Sequence, residues 1–212
     1  MPRYTGSGVI PIIIKDNKLH LILFLLNKGT LTDAGGRIEK QKSIIDTASR
    51  ELFEESAGLF NINSRTIDKN SLYVDISGYS TDRYRTYIIL FDNLDNSYID
   101  YYKNNLIKIK MENHNPFSET CGIYLIPFDN INFIDNNTFA NTLTNETIII
   151  SDRTAKIIKK IYDICENSNN FYDVLIKNIK PIHIKKHKTD IITYTYREHK
   201  NITITDLDTF IC

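Results

Sequence analysis

The chain of 212 residues has no surplus of charge of either sign, with 26 Lys and Arg against 26 Asp and Glu. A polyelectrolyte tail is therefore excluded as the main means of finding a partner. Cysteine is scarce and scattered: Cys121, Cys165 and Cys212 form no CxxC pair, so neither a thiolate zinc site nor a redox couple is indicated, and a reducing compartment is the economical reading. The longest apolar stretch, Leu19 to Leu26, is interrupted by His20 and falls far short of the ~20 residues that a membrane-spanning helix needs. The opening residues, MPRYTGSG, hold no apolar leader core. These absences point to a cytoplasmic protein that uses no membrane. What remains, 42% apolar and 25% charged residues, is the composition of a globular protein. A chain of this length buries roughly two thirds of its unfolded surface.

Gly8 to Ile14 and Leu19 to Leu26 are β-branched and leucine-rich runs joined by Lys15-Asp16-Asn17-Lys18, the pattern of a hairpin of buried strands. Gly29 to Glu39 contains Asp33-Ala34-Gly35-Gly36-Arg37, whose paired glycines predict tight backbone geometry in a loop or short strand. The periodicity then becomes helical from Ile44 to Ala57, with Ser43 and Asp46 placed as a capping box and Gly58 placed to end the helix. Further strands are expected at Leu72 to Ile76, Tyr84 to Phe91 and Cys121 to Pro127, and an amphipathic helix at Asp152 to Glu166. The asparagine-rich pieces Asp92 to Ser97 and Asn130 to Asn137 read as loops. Lys177 to Lys200 is locally basic within a neutral chain.

The chemistry is concentrated on the first helix. Glu51, Glu54 and Glu55 stand at i, i+3 and i+4, so three carboxylates share one face beside an apolar stripe of Ile45, Ala48 and Leu52. Like charges so placed repel, and something must offset them. Arg50, four residues before Glu54, neutralises one carboxylate and locks its rotamer. The remaining oxygens suit a hard cation, Mg²⁺ or Mn²⁺, which takes carboxylates together with water and substrate phosphate. Gly36 fits the same picture, since a missing side chain lets a backbone carbonyl approach the ion.

These residues resemble the box of the Nudix hydrolases. Gly36 and Arg50 are fourteen apart, as that pattern demands, and Arg50-Glu51-Leu52-Phe53-Glu54-Glu55 matches it completely. Two positions depart: Lys42 stands where the box has its first Glu, and Ser56-Ala57 puts one extra residue before Gly58-Leu59. The box covers about a tenth of the chain. The resemblance implies an α/β (α+β) fold, an αβα sandwich with a mixed β-sheet, over residues 1–166, followed by a C-terminal extension. It also implies metal-dependent hydrolysis of a nucleoside diphosphate linked to another moiety, or of a related pyrophosphate. Glu51, Glu54 and Glu55 would hold the ions. Glu55 would be the general base, with Glu119, ahead of the Cys121 strand, as the second candidate. Lys42 would pair with a cluster glutamate, weaken a metal site or contact substrate phosphate, and Glu39 would partly compensate for it.

Other residues carry weaker signals. Arg83, Arg85 and Tyr87 alternate along one strand face; they line a substrate groove, with arginine on phosphate and tyrosine on a base, or form a plain exposed face. The basic C-terminal stretch would steer capped RNA toward the site, making removal of an mRNA cap the principal alternative activity. A non-catalytic nucleotide- or RNA-binding sandwich is the rival from another class. His20, His114, His183, His187 and His199 have no metal-ligand spacing and read as structural or exposed. Cys121 reads as a small buried residue of its strand. Homodimers are common among similar proteins.

Overall fold

The computed structural model describes residues 3–77, 82–92, 94, 96–111, 119–134, 137–141, 146–166, 179–183, 192–195 and 201–204. Its centre is the expected hairpin. Strand β1 (Arg3–Lys15) turns through Asp16 and Asn17, both with positive φ, into β2 (Lys18–Leu26). Two consecutive left-handed residues make the tight turn whose twist matches that of the strands, and Asp and Asn tolerate that conformation better than most residues. The glycine segment forms two short strands, β3 (Leu31–Thr32) and β4 (Ala34–Arg37), before helix α1 (Ile44–Glu55). Then follow α2 (Ser64–Lys69), β5 (Ser71–Ser77), β6 (Asp82–Phe91), α3 (Asn96–Met111) and β7 (Thr120–Pro127). Strands β8 (Ile131–Ile134), β9 (Asn137–Asn141) and β10 (Thr147–Ile150) precede α4 (Asp152–Glu166).

One mixed sheet runs in the order β5-β6-β1-β2-β3-β10-β9-β8, with β4 paired to β1 and β7 to β2. The β1–β6 and β3–β10 pairs are parallel. Because side chains alternate across a strand, β1 and β2 feed two cores. Val9, Ile13, Ile22 and Phe24 join Ala48 and Leu52 of α1, Ile67 of α2 and Tyr98, Tyr102 and Leu106 of α3. Ile10, Ile12, Leu21 and Leu23 join Ile157, Ile158 and Ile161 of α4 on the other face. The molecule is thus an α+β protein with helices on both sides of a mixed sheet. A further short hairpin, β11 (Ile192–Thr195) with β12 (Asn201–Ile204), forms a separate sheet.

Three local expectations are corrected. Asp92 to Ser97 is not simply a loop, since α3 begins at Asn96; its tyrosines at 98 and 102 and Leu106 recur at helical spacing and are buried against the α1 face. Asn130 to Asn137 holds strand β8 and the start of β9, whose antiparallel register pairs Ile131 with Ala140. Cys121 is half-buried, with its thiol 3.6 Å from the Leu26 carbonyl. Residues 179–183 return to the sheet: Ile179 lies in the α4-side core, and the Ile182 N–H donates to the Leu90 carbonyl at 2.8 Å. The rest of the basic stretch from residue 184 to 191 and from 196 to 200, with Lys177, Lys185, Lys186 and Lys188, lies outside the described residues, as do His114, His187 and His199. No helix among the described residues is long and apolar enough to cross a membrane.

Candidate active site

Helix α1 begins where the capping box was placed. The Ser43 hydroxyl accepts from the Asp46 N–H at 3.1 Å, and its own O–H donates to the Asp46 carboxylate at 2.6 Å. The helix ends where Ala57 and Gly58 both take positive φ, and the Gly58 N–H donates to the Phe53 carbonyl at 2.9 Å. That left-handed pair accommodates the extra residue ahead of Leu59, so the insertion is absorbed in the helix terminus and Leu59 still reaches the core. With both ends anchored and Leu52 fully buried, the glutamates are presented from a fixed frame.

Arg50 organises them. Its Nη1 donates to Glu54 Oε2 at 2.6 Å, its Nη2 donates to Glu51 Oε1, and its Nε lies 3.3 Å from Glu39 Oε1. A planar guanidinium with several donors in one plane can hold three carboxylates this way, where a lysine could not. Glu39 therefore joins the cluster through Arg50. Lys42 is exposed, its backbone N–H donating to the Glu39 carbonyl at 3.1 Å; its charge acts on Asp46 at the helix start.

Gly36 serves the cluster by what it lacks. A Cβ built on it would stand 2.3 Å from Glu51 Oε1, so the carboxylate fills the space of the absent side chain. The Gly36 carbonyl oxygen, expected as a metal ligand, faces β1 and lies 2.8 Å from where a Cβ on Gly6 would be. Glu54 and Glu55 are 5% and 6% exposed. Burial, opposed in part by Arg50 and reinforced by Glu54, raises the Glu51 carboxyl to about 7. Burial and the neighbouring Asp33 carboxylate push Glu55 well above the usual carboxylate range, while a hydrogen bond from the Gly35 backbone pulls it back. Glu55 Oε2 is buried with no hydrogen-bond partner among the described residues. Glu119 is exposed just ahead of β7, and its charge contributes to raising Glu51.

A second polar network, unforeseen from the sequence, lies behind Glu55. Asp33, with 0% exposure, accepts from Thr154 Oγ1 at 2.7 Å and Tyr84 OH at 3.2 Å, and its N–H donates to Thr154 Oγ1 at 2.9 Å. Arg153, from the first turn of α4, donates from Nε to Asp33 Oδ1 at 3.0 Å and from Nη2 to Thr32 Oγ1 at 3.1 Å, with its guanidinium 4.7 Å above the Tyr84 ring. The only sequence signal for this network was Asp33 directly before an Ala-Gly-Gly run. Arg153 and Thr154 lie some 120 residues away, and Tyr84 lies 51 away.

On the Arg83–Arg85–Tyr87 face, Arg85 and Tyr87 are engaged within the fold. Arg85 pairs with Asp75 at 2.7 Å, donates to Tyr4 OH at 2.8 Å and stacks on the Tyr73 ring at 3.8 Å. Tyr87 is 6% exposed within the α1-side core, so its ring has no free face to offer a base; Arg83 is exposed. His20 is buried with its Nδ1 3.0 Å from the Lys18 carbonyl, and His183 lies against Asp92 at 3.1 Å. An open cleft of ≈ 680 Å³ adjoins the carboxylate cluster through Gly36 and Glu39, and Arg3, Tyr4, Arg37, Lys40, Asp82, Tyr84 and Arg153 also line it.

The acidic cluster fits a hard divalent ion. It supplies only carboxylate oxygens, one of them buried without a partner, beside a backbone that leaves room for Glu51. As the side chains stand, no three acidic groups among the described residues converge on one point, because Arg50 bridges Glu51 and Glu54.

No family model and no curated protein matches this sequence. Several solved structures are similar to it. A MutT/nudix family protein from Enterococcus faecalis is 11% identical, with a TM-score of 0.46 over 78% of this chain, which spans 63% of that protein. The NUDIX domain of Shewanella oneidensis NrtR, solved with ADP ribose, is 11% identical with a TM-score of 0.44, over 77% of this chain and 88% of the other. A bifunctional NMN adenylyltransferase/ADP ribose pyrophosphatase from Francisella tularensis, complexed with AMP and a Mn ion, is 15% identical with a TM-score of 0.40, over 77% and 42%.

Proposed function

We propose that this protein is a metal-dependent hydrolase of the Nudix type that cleaves a pyrophosphate bond in a nucleoside diphosphate derivative or related compound. One observation carries the reading: Arg50 gathers the helix carboxylates Glu51 and Glu54 opposite a glycine whose missing side chain is occupied by Glu51, and the buried Glu55 Oε2 beside them has no partner among the described residues. Burial and mutual repulsion make Glu51 and Glu55 hold protons more tightly than free carboxylates, a cost that a divalent cation among them would relieve. Glu51, Glu54 and Glu55 would hold the ion. A bound Mg²⁺ or Mn²⁺ supplies neutralisation of phosphate charge and a lowered pKa for the attacking water.

The protein's own contribution is placement. Arg50 holds the Glu51 and Glu54 carboxylates beside one another on the helix. Glu55, whose Oε2 is buried without a partner among the described residues, is the first candidate to accept the proton of the attacking water. Glu119, exposed at the mouth of β7, is the second acceptor to test.

The test is turnover of a panel of nucleoside diphosphate derivatives with Mg²⁺ and with Mn²⁺. Glu55→Gln is expected to lower kcat by roughly 10²–10⁴, the usual worth of a positioned general base. Glu54→Gln is expected to raise the concentration of metal required. Tight nucleotide binding with no turnover of any compound would replace this reading with that of a binding protein.

A further inference from the structure

We infer that the cleft beside Gly36 is a binding site for a charge-dense, multiply phosphorylated group, recognised by charge and not by stacking on a base. The inference deepens the proposed activity and rests on it only for which bond is cut; the cleft is argued from its own residues.

The lining brings cations together from three parts of the chain. Arg3 opens β1, and Arg37 closes β4, which pairs with the same end of β1 through the Gly6–Arg37 register. Lys40 follows β4 in the turn before α1, and Arg153 reaches in from α4. Arg3, Arg37 and Lys40 are exposed and form no ion pair among the described residues. Of the two acids among the described lining residues, Glu39 is engaged by Arg50, and Asp82 sits opposite Arg3 in the β1–β6 register.

Arg153 differs from the other three in being built in. Asp33 and Thr32 hold its Nε and Nη2, and Tyr84 supports one face of the guanidinium, yet its side chain keeps 33% exposure on the cleft. A guanidinium so held forfeits little entropy on meeting an anion, and its plane suits the paired oxygens of a phosphoryl group.

The aromatic surface that a base would need is already used. Tyr84 is 9% exposed beneath Arg153, and Tyr4 donates its hydroxyl to Asp75 at 2.6 Å while Arg85 lies 4.9 Å from its ring centre. Among the described residues, Ile38 is the sole aliphatic side chain of the lining. Such a wall favours phosphates over a nucleobase or an unmodified sugar. The volume, ≈ 680 Å³, is in the usual range for a small-molecule site.

Calorimetry on the full chain in EDTA, at physiological salt, separates this inference from the proposed reaction, since it reads binding without metal or turnover. Inorganic tripolyphosphate is expected to bind at least tenfold more tightly than ADP-ribose, and adenosine not measurably. Inositol hexakisphosphate is the second probe: whichever of the two polyphosphates binds more tightly indicates a linear or a ring-borne source. The double variant Arg37→Gln/Lys40→Gln should weaken binding of the polyphosphates at least tenfold without lowering Tm. Lys15→Gln/Lys18→Gln, which removes equal charge at the opposite end of β1, should change it less than twofold. Equal losses in the two double variants would overturn the inference by showing general charge attraction, and so would ADP-ribose or adenosine binding as tightly as tripolyphosphate. If the polyphosphates bind as expected while no compound is turned over by the unaltered protein, the cleft stands and the proposed reaction falls.

Discussion

At the scale of single residues, the two adjacent glycines divide their work. A methyl group on Gly36 would stand against the Glu51 carboxylate that Arg50 holds, whereas one on Gly35 would meet the Tyr84 hydroxyl at 1.8 Å and the Gly8 backbone at 2.8 Å. Gly36→Ala should therefore displace Glu51 and lower metal-dependent turnover at least tenfold, with a smaller shift of the urea midpoint than Gly35→Ala. Gly35→Ala should lower stability itself by about 1–3 kcal/mol, the cost of overpacking a core. Glu51 carries a pH signature. Its folded-state pKa of about 7 lies above the ordinary carboxylate value of 4.5, so between those pH values the folded protein holds a proton that the unfolded chain has lost. Stability from this group is present at the acid end of that window and lost as pH rises through about 7. Melting in EDTA should accordingly give a higher Tm at pH 5.5 than at pH 8. Mg²⁺ should narrow that difference, and Glu51→Gln should shrink it without metal. A flat profile in the unaltered protein would refute the assignment.

At the scale of elements, what was legible in the sequence was what is local. The hairpin, the capped helix α1 and the Arg50–Glu51–Glu54 cluster all depend on spacings of a few residues, which the chain displays directly. Helix α3 escaped because Asn96 and its neighbours look like a turn, and because tyrosines supply its buried face at Tyr98 and Tyr102. The β8–β9 hairpin escaped for a related reason: asparagines are poor strand formers in isolation, and tertiary pairing of Ile131 with Ala140 overrides them. The cap of α1 makes the local case testable. Ser43→Ala removes both the acceptor for the Asp46 N–H and the donor to its carboxylate, and should cost about 1 kcal/mol in chemical denaturation. Because the cap lies a full turn and more from Arg50, the metal requirement of turnover should not change; a change would mean that the helix start and the glutamate cluster are coupled.

At the scale of the whole molecule, the candidate site is assembled from both sides of the sheet. Helix α1 belongs to one core and Arg153 begins the helix of the other, and they meet through Asp33 at the β3–β4 junction beside Glu55. No local pattern announces such a contact, which is why the sequence showed the glutamates but not the residues behind them. Arg153→Leu would leave the fully buried Asp33 carboxylate with only hydroxyl partners, and loss of one partner from a buried pair costs about 3 kcal/mol or more. A matching drop in unfolding free energy is expected, with Asp33→Asn in the same background restoring part of it. No recovery in the double variant would mean that the arginine acts chiefly through packing.

The Asp33–Arg153 tie also orders events during synthesis. The carboxylate helix leaves the ribosome about a hundred residues ahead of Arg153, so a nascent chain carries the complete glutamate motif long before its buried aspartate meets a counter-charge. Fragments stopped short of α4 would bear the glutamates but lack the arginine that neutralises Asp33.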